Sequence, residues 1–248
     1  MNKSKNLIFE LNKIEKKYKE QTVISISHLE FHRGTVYGIV GSVGSGKSTL
    51  LKILSGLIKQ SSGTIKYENS PFKLNLFGRV KPSSEIELVQ LNKKISKLVT
   101  LKSLKKTPTN SIFSKYINNK NSINNALKRY NDLSDGEKTL FNLSSAFDND
   151  PRVLLIDDYG VLFDDNLQKN INNKINLMNR EFGTTFILSA SSDNNLKHMA
   201  SVLVYLDNGH ISKIRSGVSA KSSIKSRSNK KKHPNYRNKK HNYRKKLN

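Results

Sequence analysis

A glycine-rich stretch restricts the possible folds more than any other feature of this sequence. Residues 41–48 read Gly-Ser-Val-Gly-Ser-Gly-Lys-Ser, which fits the pattern G-x-x-x-x-G-K-[ST] without a mismatch. The apolar residues 35–40 predict a strand before it, and apolar residues at helical spacing over 50–58 predict a helix after it. This order favours a phosphate-binding loop over the alternative, a glycine-rich turn with an incidental lysine.

The predicted loop has a definite chemistry. Glycines allow the backbone to turn its N–H groups toward one point, where they and the helix N-terminus bind phosphate oxygens. Lys47 would reach the β- and γ-phosphates of a nucleotide, and Ser48 would ligate Mg²⁺. The candidate nucleotide-binding residues of this stretch are Gly41, Ser42, Val43, Gly44, Ser45, Gly46, Lys47, Ser48 and Thr49.

A second apolar run ends in two acidic residues. Residues 153–156 predict a buried strand, and Asp157 and Asp158 follow it directly. A phosphate-binding loop needs an acid to hold the metal, usually at the end of a neighbouring strand, and Asp157 is the better candidate because it is adjacent to the run. The alternative is aspartate as a turn former. Further apolar runs at 185–188 and 202–206 predict an α/β fold with a mainly parallel sheet.

Basic residues far outnumber acidic ones. Among 248 residues, 44 are Lys or Arg and 19 are Asp or Glu, which gives a net charge of +25 and indicates an anionic partner. Twelve of the positive charges and no acid lie in residues 221–248. The Ser, Asn and Lys richness of this region predicts a disordered basic tail over 218–248. For the tail, contact with anionic lipid or a transporter, contact with nucleic acid and no dedicated partner all stay open.

The composition also indicates in which cellular compartment the protein is expected. The absence of cysteine excludes disulfides, thiolate metal sites and cysteine nucleophiles. The first residues lack the apolar core of a signal peptide, and no apolar run approaches the roughly 20 residues of a spanning helix. We therefore expect a cytoplasmic protein that works at a membrane, if at all, as a peripheral subunit.

A short motif lies between the glycine loop and the acidic strand end. It reads Leu-Ser-Asp-Gly-Glu over residues 133–137 and precedes a helix-like stretch. In this order the chain resembles the ATP-binding-cassette (ABC) family, whose signature is L-S-G-G-Q. The resemblance covers about residues 7–216 and implies a P-loop NTPase fold with a mainly parallel core sheet, an N-terminal antiparallel β subdomain and a short helical subdomain. The cassette would span residues 1–217, with a helical arm at about 91–132.

The resemblance implies roles for individual residues. Tyr18 would stack on adenine, although a solvated tyrosine among lysines is the alternative. Gln90 would contact Mg²⁺ and the attacking water, and Asp164 would help to join two cassettes. Ser134 and Gly136 of one cassette would complete the ATP site of another.

Three positions depart from the family pattern. Asp158 stands where the family has a catalytic glutamate, and its side chain is one methylene shorter. Ser192 stands at the switch-histidine position and cannot become positively charged. Asp135 replaces a signature glycine and adds negative charge, offset in part by Lys138. Because a misplaced base can cost about a hundredfold in rate, we expect slow hydrolysis. The candidate catalytic residues are Asp158, Gln90, Lys47 and Ser192.

The implied function is that of an ATP-binding and ATP-hydrolysing subunit of an ABC transporter. With one loop and one signature, the chain would act as a dimer, with itself or with a more orthodox cassette. It would power a separate membrane permease as a peripheral subunit on the inner face of the cell membrane. The alternatives are a soluble ABC-type ATPase acting on nucleic acid or ribosomes and a regulatory cassette that binds ATP with little turnover.

Overall fold

The computed structural model describes residues 6–90 and 133–217. The strands there are Leu7–Tyr18 (β1), Gln21–His32 (β2), Val36–Val40 (β3), Ser62–Tyr67 (β4), Ser70–Pro71 (β5), Ile86–Val89 (β6), Val153–Ile156 (β7), Thr185–Ala190 (β8), Val202–Asp207 (β9) and His210–Ser216 (β10). The helices there are Lys47–Leu54 (α1), Asp135–Asp148 (α2) and Asp165–Phe182 (α3). None of these helices is long and apolar enough to cross a bilayer. The predicted helical arm and basic tail lie outside the described residues.

Long alternating strands build the smaller sheet. β1 and β2 form an antiparallel hairpin, and β4 and β5 extend it in the order β2-β1-β4-β5. Along β1, Phe9, Leu11 and Ile14 are buried while the residues between them are less covered, which is the pattern of a sheet with one solvated face. This sheet is the antiparallel β subdomain that the resemblance implies.

The larger sheet has six strands in the order β10-β9-β3-β8-β7-β6. All of them run parallel except β10, which pairs with β9 through a turn at Asn208 and Gly209. Every residue of β3, β7 and β8 is buried, as expected for parallel strands covered on both faces. The predicted α/β fold with a mainly parallel core sheet is therefore confirmed.

The strand order brings four chain segments to one edge of this sheet. β3, β8, β7 and β6 are successive neighbours and run in the same direction, so the residues after them emerge at the same edge. In open parallel sheets, ligands bind outside the carboxyl ends of the strands. The segments at this edge are the glycine loop 41–48, Ser191 and Ser192, Asp157 and Asp158, and Gln90.

Helix α1 is shorter than the sequence pattern predicts. It begins at Lys47, directly after the glycine loop, and ends at Leu54. Gly56 adopts a φ of 75°, and Leu57 is exposed rather than on a buried helix face. The predicted helix over 50–58 is therefore wrong at its C-terminal end, because a glycine in the left-handed conformation terminates a helix whatever apolar residues follow it.

Candidate nucleotide-binding site

Two glycines of the loop are required by close approach of other backbone segments. A β-carbon at Gly41 would lie 2.3 Å from the carbonyl oxygen of Leu206, and one at Gly46 would lie 2.8 Å from that of Val23. Gly46 also has a φ of 100°, a left-handed conformation that other residues rarely adopt. The loop can keep this shape only with glycine at both positions.

Lys47 lies inside the loop, with 6% of its surface exposed. Its Nζ donates hydrogen bonds to the carbonyl oxygens of Gly41 (2.8 Å) and Ser42 (2.7 Å). Burial lowers the pKa of Lys47, while the charges of Asp158 and Asp157 act in the opposite direction. Because the two carbonyls are neutral, a phosphate oxygen would offer this ammonium a stronger, charge-assisted hydrogen bond.

The first turn of α1 presents backbone N–H groups beside this ammonium. Gly46 is the N-cap residue, and no side chain among residues 6–90 and 133–217 caps the helix. The first turn also contains no acidic residue, so the positive end of the helix dipole is not neutralised from within the helix. N–H groups, dipole and Lys47 together form a cradle suited to phosphate.

Asp157 is fixed at the end of β7 by a serine on the neighbouring strand. It is 7% exposed, and its Oδ1 accepts a hydrogen bond of 2.6 Å from the hydroxyl of Ser189. Ser189 lies in β8 and is fully buried. Sequence reasoning missed this residue, although a serine hydroxyl within a buried strand is a signal that could have found it.

Asp158 also forms a hydrogen bond with Ser189. Its N–H donates to the Ser189 hydroxyl at 3.0 Å, and its φ of 50° lies in the left-handed region. Although the residue as a whole is exposed, partial desolvation of its carboxyl group raises the pKa of Asp158. The charge of Asp157 also raises this pKa, and the charge of Lys47 lowers it. The three groups therefore interact electrostatically at the sheet edge.

Gln90 and Ser192 follow β6 and β8, the strands on either side of β7, at the same edge. The carbonyl of Val89, the last residue of β6, accepts the N–H of Asp157 at 3.0 Å, so Gln90 leaves the sheet beside Asp157. Ser192 lies two residues beyond β8 and is exposed, with the exposed Ser191 between them. The sheet therefore brings the predicted loop, acids, glutamine and serine to one edge.

The donor set at this edge suits magnesium. Ser48 in the first turn of α1, Asp157 and Gln90 offer oxygen ligands, which this hard cation prefers. Across the part of the chain that the structure describes, no group of three or more His, Cys, Asp or Glu could hold a metal ion. A cation here would therefore rely on further oxygens such as those of a nucleotide phosphate.

Ser134 caps helix α2 in a reciprocal capping box. Its hydroxyl accepts the N–H of Glu137 at 3.3 Å, and its own N–H donates to the Glu137 carboxylate at 2.9 Å. The sequence motif at 133–137 thus begins a helix, as the resemblance implies.

Leu133 of this motif is buried, whereas Asp135, Gly136 and Glu137 are at least partly accessible. Asp135 is exposed and lies 3.6 Å from the ammonium of Lys138, so the predicted partial compensation of its charge is present. A β-carbon at Gly136 would meet the carbonyl of Leu162 at 3.8 Å, which is ordinary contact. Asp164, two residues after Leu162, caps helix α3. The motif and the segment before α3 are therefore neighbours in the fold.

Tyr18 stands at the end of the β1–β2 hairpin. It pairs with Gln21, two residues before Val23, whose carbonyl approaches Gly46 of the glycine loop. Its ring is half-exposed, and the ammonium of Lys16 lies 5.1 Å from the ring centroid. The hairpin end that carries Tyr18 thus adjoins the loop, while its present ring contact is with a lysine.

A comparison with protein families gives a match that includes the loop, the signature motif and both acids. The family model described as ABC transporter matches residues 24–159, more than half of the chain. This chain belongs to the ABC transporter family. The family that the sequence resembles is thereby confirmed.

Curated ABC proteins are similar over most of the chain. The spermidine/putrescine import ATP-binding protein PotA of Mycoplasma mycoides is 26% identical over 216 residues, which cover 84% of this chain and 61% of PotA. The lipoprotein-releasing system ATP-binding protein LolD of Buchnera aphidicola is 25% identical over 223 residues, covering 83% and 97%. This ABC chain therefore spans 57% to 61% of the length of the PotA relatives.

Solved structures share the fold. CbiO1 of Clostridium perfringens, part of the ABC transporter complex CbiONQ, has a TM-score of 0.67 at 18% identity, covering 89% of this chain and 93% of CbiO1. A dimeric bacterial ABC transporter cassette has a TM-score of 0.68 at 21% identity, covering 84% and 98%. These similarities establish the ABC cassette fold.

Proposed function

We propose that this chain is the ATP-binding and ATP-hydrolysing subunit of an ABC transporter and that it powers a separate membrane permease. The observation that carries the proposal is the charge arrangement at the sheet edge. Lys47 is buried in the glycine loop, and the charges of Asp158 and Asp157 act on its pKa. A cationic cradle beside two acids fits a polyphosphate with a divalent cation. The relatives named as ATP-binding proteins support the same function.

In this proposal the phosphates of ATP bind along residues 41–49. Lys47 exchanges a carbonyl contact for oxygens of the β- and γ-phosphates, while Ser48, Asp157 and Gln90 hold Mg²⁺. Bound magnesium would neutralise phosphate charge during transfer. Tyr18 stacks on the adenine, because the hairpin that carries it adjoins the loop.

Asp158 is the proposed base that orients the attacking water, with the help of Gln90. Ser192 would donate one hydrogen bond to the γ-phosphate. The raised pKa of Asp158 makes it a stronger base than an ordinary aspartate, but its side chain is one methylene shorter than the glutamate of the family pattern. A hydroxyl at 192 also cannot carry the charge of a histidine. We therefore propose that hydrolysis is slow.

Two cassettes would complete each ATP site. Ser134 forms hydrogen bonds with Glu137 and Lys138 in its own helix, and a β-carbon at Gly136 would meet the carbonyl of Leu162 at an ordinary contact distance. Ser134 and Gly136 can therefore contact ATP held by a second cassette, which is a copy of this chain or a different one. Asp164, in the neighbouring segment, would contribute to the same interface.

The organisation of the whole chain follows from this proposal. The cassette would span residues 1–217, and the arm at about 91–132 would contact the permease. The basic tail at 218–248 would bind anionic lipid or nucleic acid, since it carries twelve positive charges and no acid. The protein would act at the inner face of the cell membrane as a peripheral cytoplasmic subunit.

A regulatory cassette that binds ATP with little turnover is the second candidate. It is favoured by three departures that fall on one composite site, Asp158, Ser192 and Asp135. All three affect the reacting end of ATP, whereas the glycine loop itself has no mismatch. Such a chain would keep its affinity for ATP but would hydrolyse little of it.

Calorimetry with Mg-ATP followed by an ATPase assay tests both candidates. We expect binding by the wild type, loss of binding in Lys47→Ala, and slow turnover that depends on Lys47. Lys52→Ala is the matched control, because Lys52 is a half-buried lysine in the same helix. Turnover that survives Lys47→Ala would contradict the catalytic assignment. Binding without turnover, alone and with candidate partner subunits, would favour the regulatory cassette.

A further inference from the structure

A short hairpin between β5 and β6 has no role in the proposed ATP site. Leu74 and Val80 form a bridge across it, and the N–H of Lys81 donates to the carbonyl of Lys73 at 2.8 Å. We call residues 72–81 the apolar hairpin, because its turn carries large apolar side chains.

The turn of the apolar hairpin is held by its own hydrogen bonds. The side-chain oxygen of Asn75 accepts the N–H groups of Phe77 (3.0 Å) and Arg79 (2.9 Å). The N–H of Gly78 donates to the carbonyl of Asn75 at 2.9 Å, and Gly78 has a φ of 67°. These bonds define the backbone of the turn, so Leu76 and Phe77 are presented at its tip.

The base of the apolar hairpin is anchored in the body of the protein. A β-carbon at Gly56 would lie 3.0 Å from Val80 and 3.8 Å from Phe72. The Phe72 ring also stacks on Tyr67, with centroids 6.3 Å apart and an interplanar angle of 4°. The hairpin therefore projects from the core as a supported element, with its tip in solvent.

The tip combines exposed apolar surface with positive charge. Leu76 is fully exposed, Phe77 is 86% exposed, and neither side chain is needed for the core. The basic residues of the hairpin are Lys73, Arg79 and Lys81, all exposed, and no acid occurs from residue 72 to residue 84. Single exposed apolar residues are common, but two adjacent large ones at a supported tip among cations indicate a binding surface.

The apolar hairpin also lies away from the proposed nucleotide edge. It precedes the amino end of β6, whereas Gln90 follows the carboxyl end of that strand. It packs at Gly56, beyond the C-terminal end of α1, whereas the glycine loop meets the N-terminus of α1. A second cassette bound at the nucleotide edge would therefore not cover the tip.

We propose that the apolar hairpin inserts its tip into the surface of an anionic phospholipid bilayer. Leu76 and Phe77 would enter the boundary between headgroups and acyl chains, and Lys73, Arg79 and Lys81 would contact lipid phosphates. Apolar burial together with electrostatic attraction is what holds peripheral segments on anionic membranes. The exposed apolar residues at the tip distinguish this site from a purely electrostatic one.

A tryptophan reporter tests the insertion directly. The chain contains no tryptophan, so Phe77→Trp in the full-length protein places its single tryptophan at the tip. With vesicles of phosphatidylcholine containing phosphatidylglycerol, we expect a blue shift and quenching by lipids brominated on the acyl chain. Leu177→Trp is the control, because Leu177 is a half-exposed apolar residue on α3, and we expect no quenching there. Binding through the tail alone would leave the indole of the Phe77→Trp variant in water and would overturn the proposal.

Vesicle co-sedimentation gives the second measurement. We expect the full-length Leu76→Ser, Phe77→Ser double variant to partition onto the anionic vesicles about tenfold more weakly, because it loses the apolar burial. An unchanged thermal unfolding curve would show that this exposed pair was replaced without harm to the fold. Equal insertion into pure phosphatidylcholine would overturn the role of the cations. Crosslinking of the tip to a membrane protein, without insertion into protein-free vesicles, would replace the lipid by a protein partner.

Discussion

The hydroxyl of Ser189 lies 2.6 Å from the carboxylate of Asp157 and also accepts the N–H of Asp158 at 3.0 Å. One buried side chain on β8 thus positions both acids at the end of β7. Asp157 is the proposed ligand of Mg²⁺, and the hydrogen-bond partners of a metal ligand orient it, so we expect Ser189→Ala to weaken Mg-ATP binding by about tenfold. Ser189→Thr, which keeps the hydroxyl, should retain most of the affinity.

Calorimetry with and without magnesium checks this prediction. The loss in Ser189→Ala should appear in Mg-ATP affinity and be absent for ATP measured in EDTA, since the serine acts on Asp157, the proposed metal ligand. An equal loss in both conditions would show that the variant merely disturbs the fold.

Removal of the buried ammonium should abolish tight nucleotide binding. Lys47→Ala replaces a cation that would form charge-assisted hydrogen bonds with phosphate, so we expect about a hundredfold weaker ATP binding. Titration of a fluorescent ATP analogue measures the change. Lys52→Ala should bind ATP normally, and a comparable loss in that control would point to a general charge effect.

A glutamate in place of Asp158, the proposed catalytic base, should accelerate hydrolysis. Asp158→Glu extends the carboxylate by one methylene, and we expect about a hundredfold faster turnover under saturating Mg-ATP. Release of inorganic phosphate is the measurement, and Asp165→Glu, an exposed acid in the first turn of α3, is the control. A slower enzyme would show that the backbone at φ 50° already places the shorter side chain correctly.

The stability of the protein should depend on the charge of Asp158. Folding raises the pKa of this carboxyl above its ordinary value of 3.8, so the folded state disfavours the carboxylate. This penalty is absent at low pH, grows as the pH rises from 3.8 through the raised pKa, and then stays constant. Asp158→Asn removes the charge, and asparagine also tolerates a positive φ. We expect its Tm to exceed that of the wild type by about 1–3 °C at pH 7.

Thermal unfolding between acidic and neutral pH tests the sign of this Tm difference and its dependence on pH. The advantage of Asp158→Asn should increase with pH over the acidic range and then level off. The effect is modest because the residue is exposed and water screens its charge. A Tm difference independent of pH would assign the change to backbone strain instead.

Mixing two defective variants tests the composite site. Lys47→Ala removes the loop cation and Ser134→Ala removes the signature hydroxyl, so each homodimer would have two damaged sites. In a mixed dimer one site would pair the intact loop with the intact signature. Random pairing should then restore about a quarter of the wild-type activity, by symmetry. No restoration in the mixture would exclude a functional homodimer and favour a different partner cassette.

Local features of the fold could be predicted well. The apolar run 153–156 predicted β7 with the limits that the structure has, because a short buried strand is bounded by charged residues. The apolar patterns on either side of the glycine loop predicted β3 before it and α1 after it. The end of α1 was not predicted, because Gly56 terminates the helix through its own backbone conformation while the apolar pattern continues.

The chemical groups of this protein could be read from its sequence: a glycine loop, a lysine, acids after a buried strand and a signature motif at a helix start. Which of these groups meet depends on the tertiary structure. Ser189 is separated from Asp157 by 32 positions and reaches it because β7 and β8 pair in parallel. Likewise, only the packing of the apolar hairpin leaves Leu76 and Phe77 in solvent. Local patterns follow from neighbours along the chain, whereas contacts between strands depend on strand order, which no local pattern specifies.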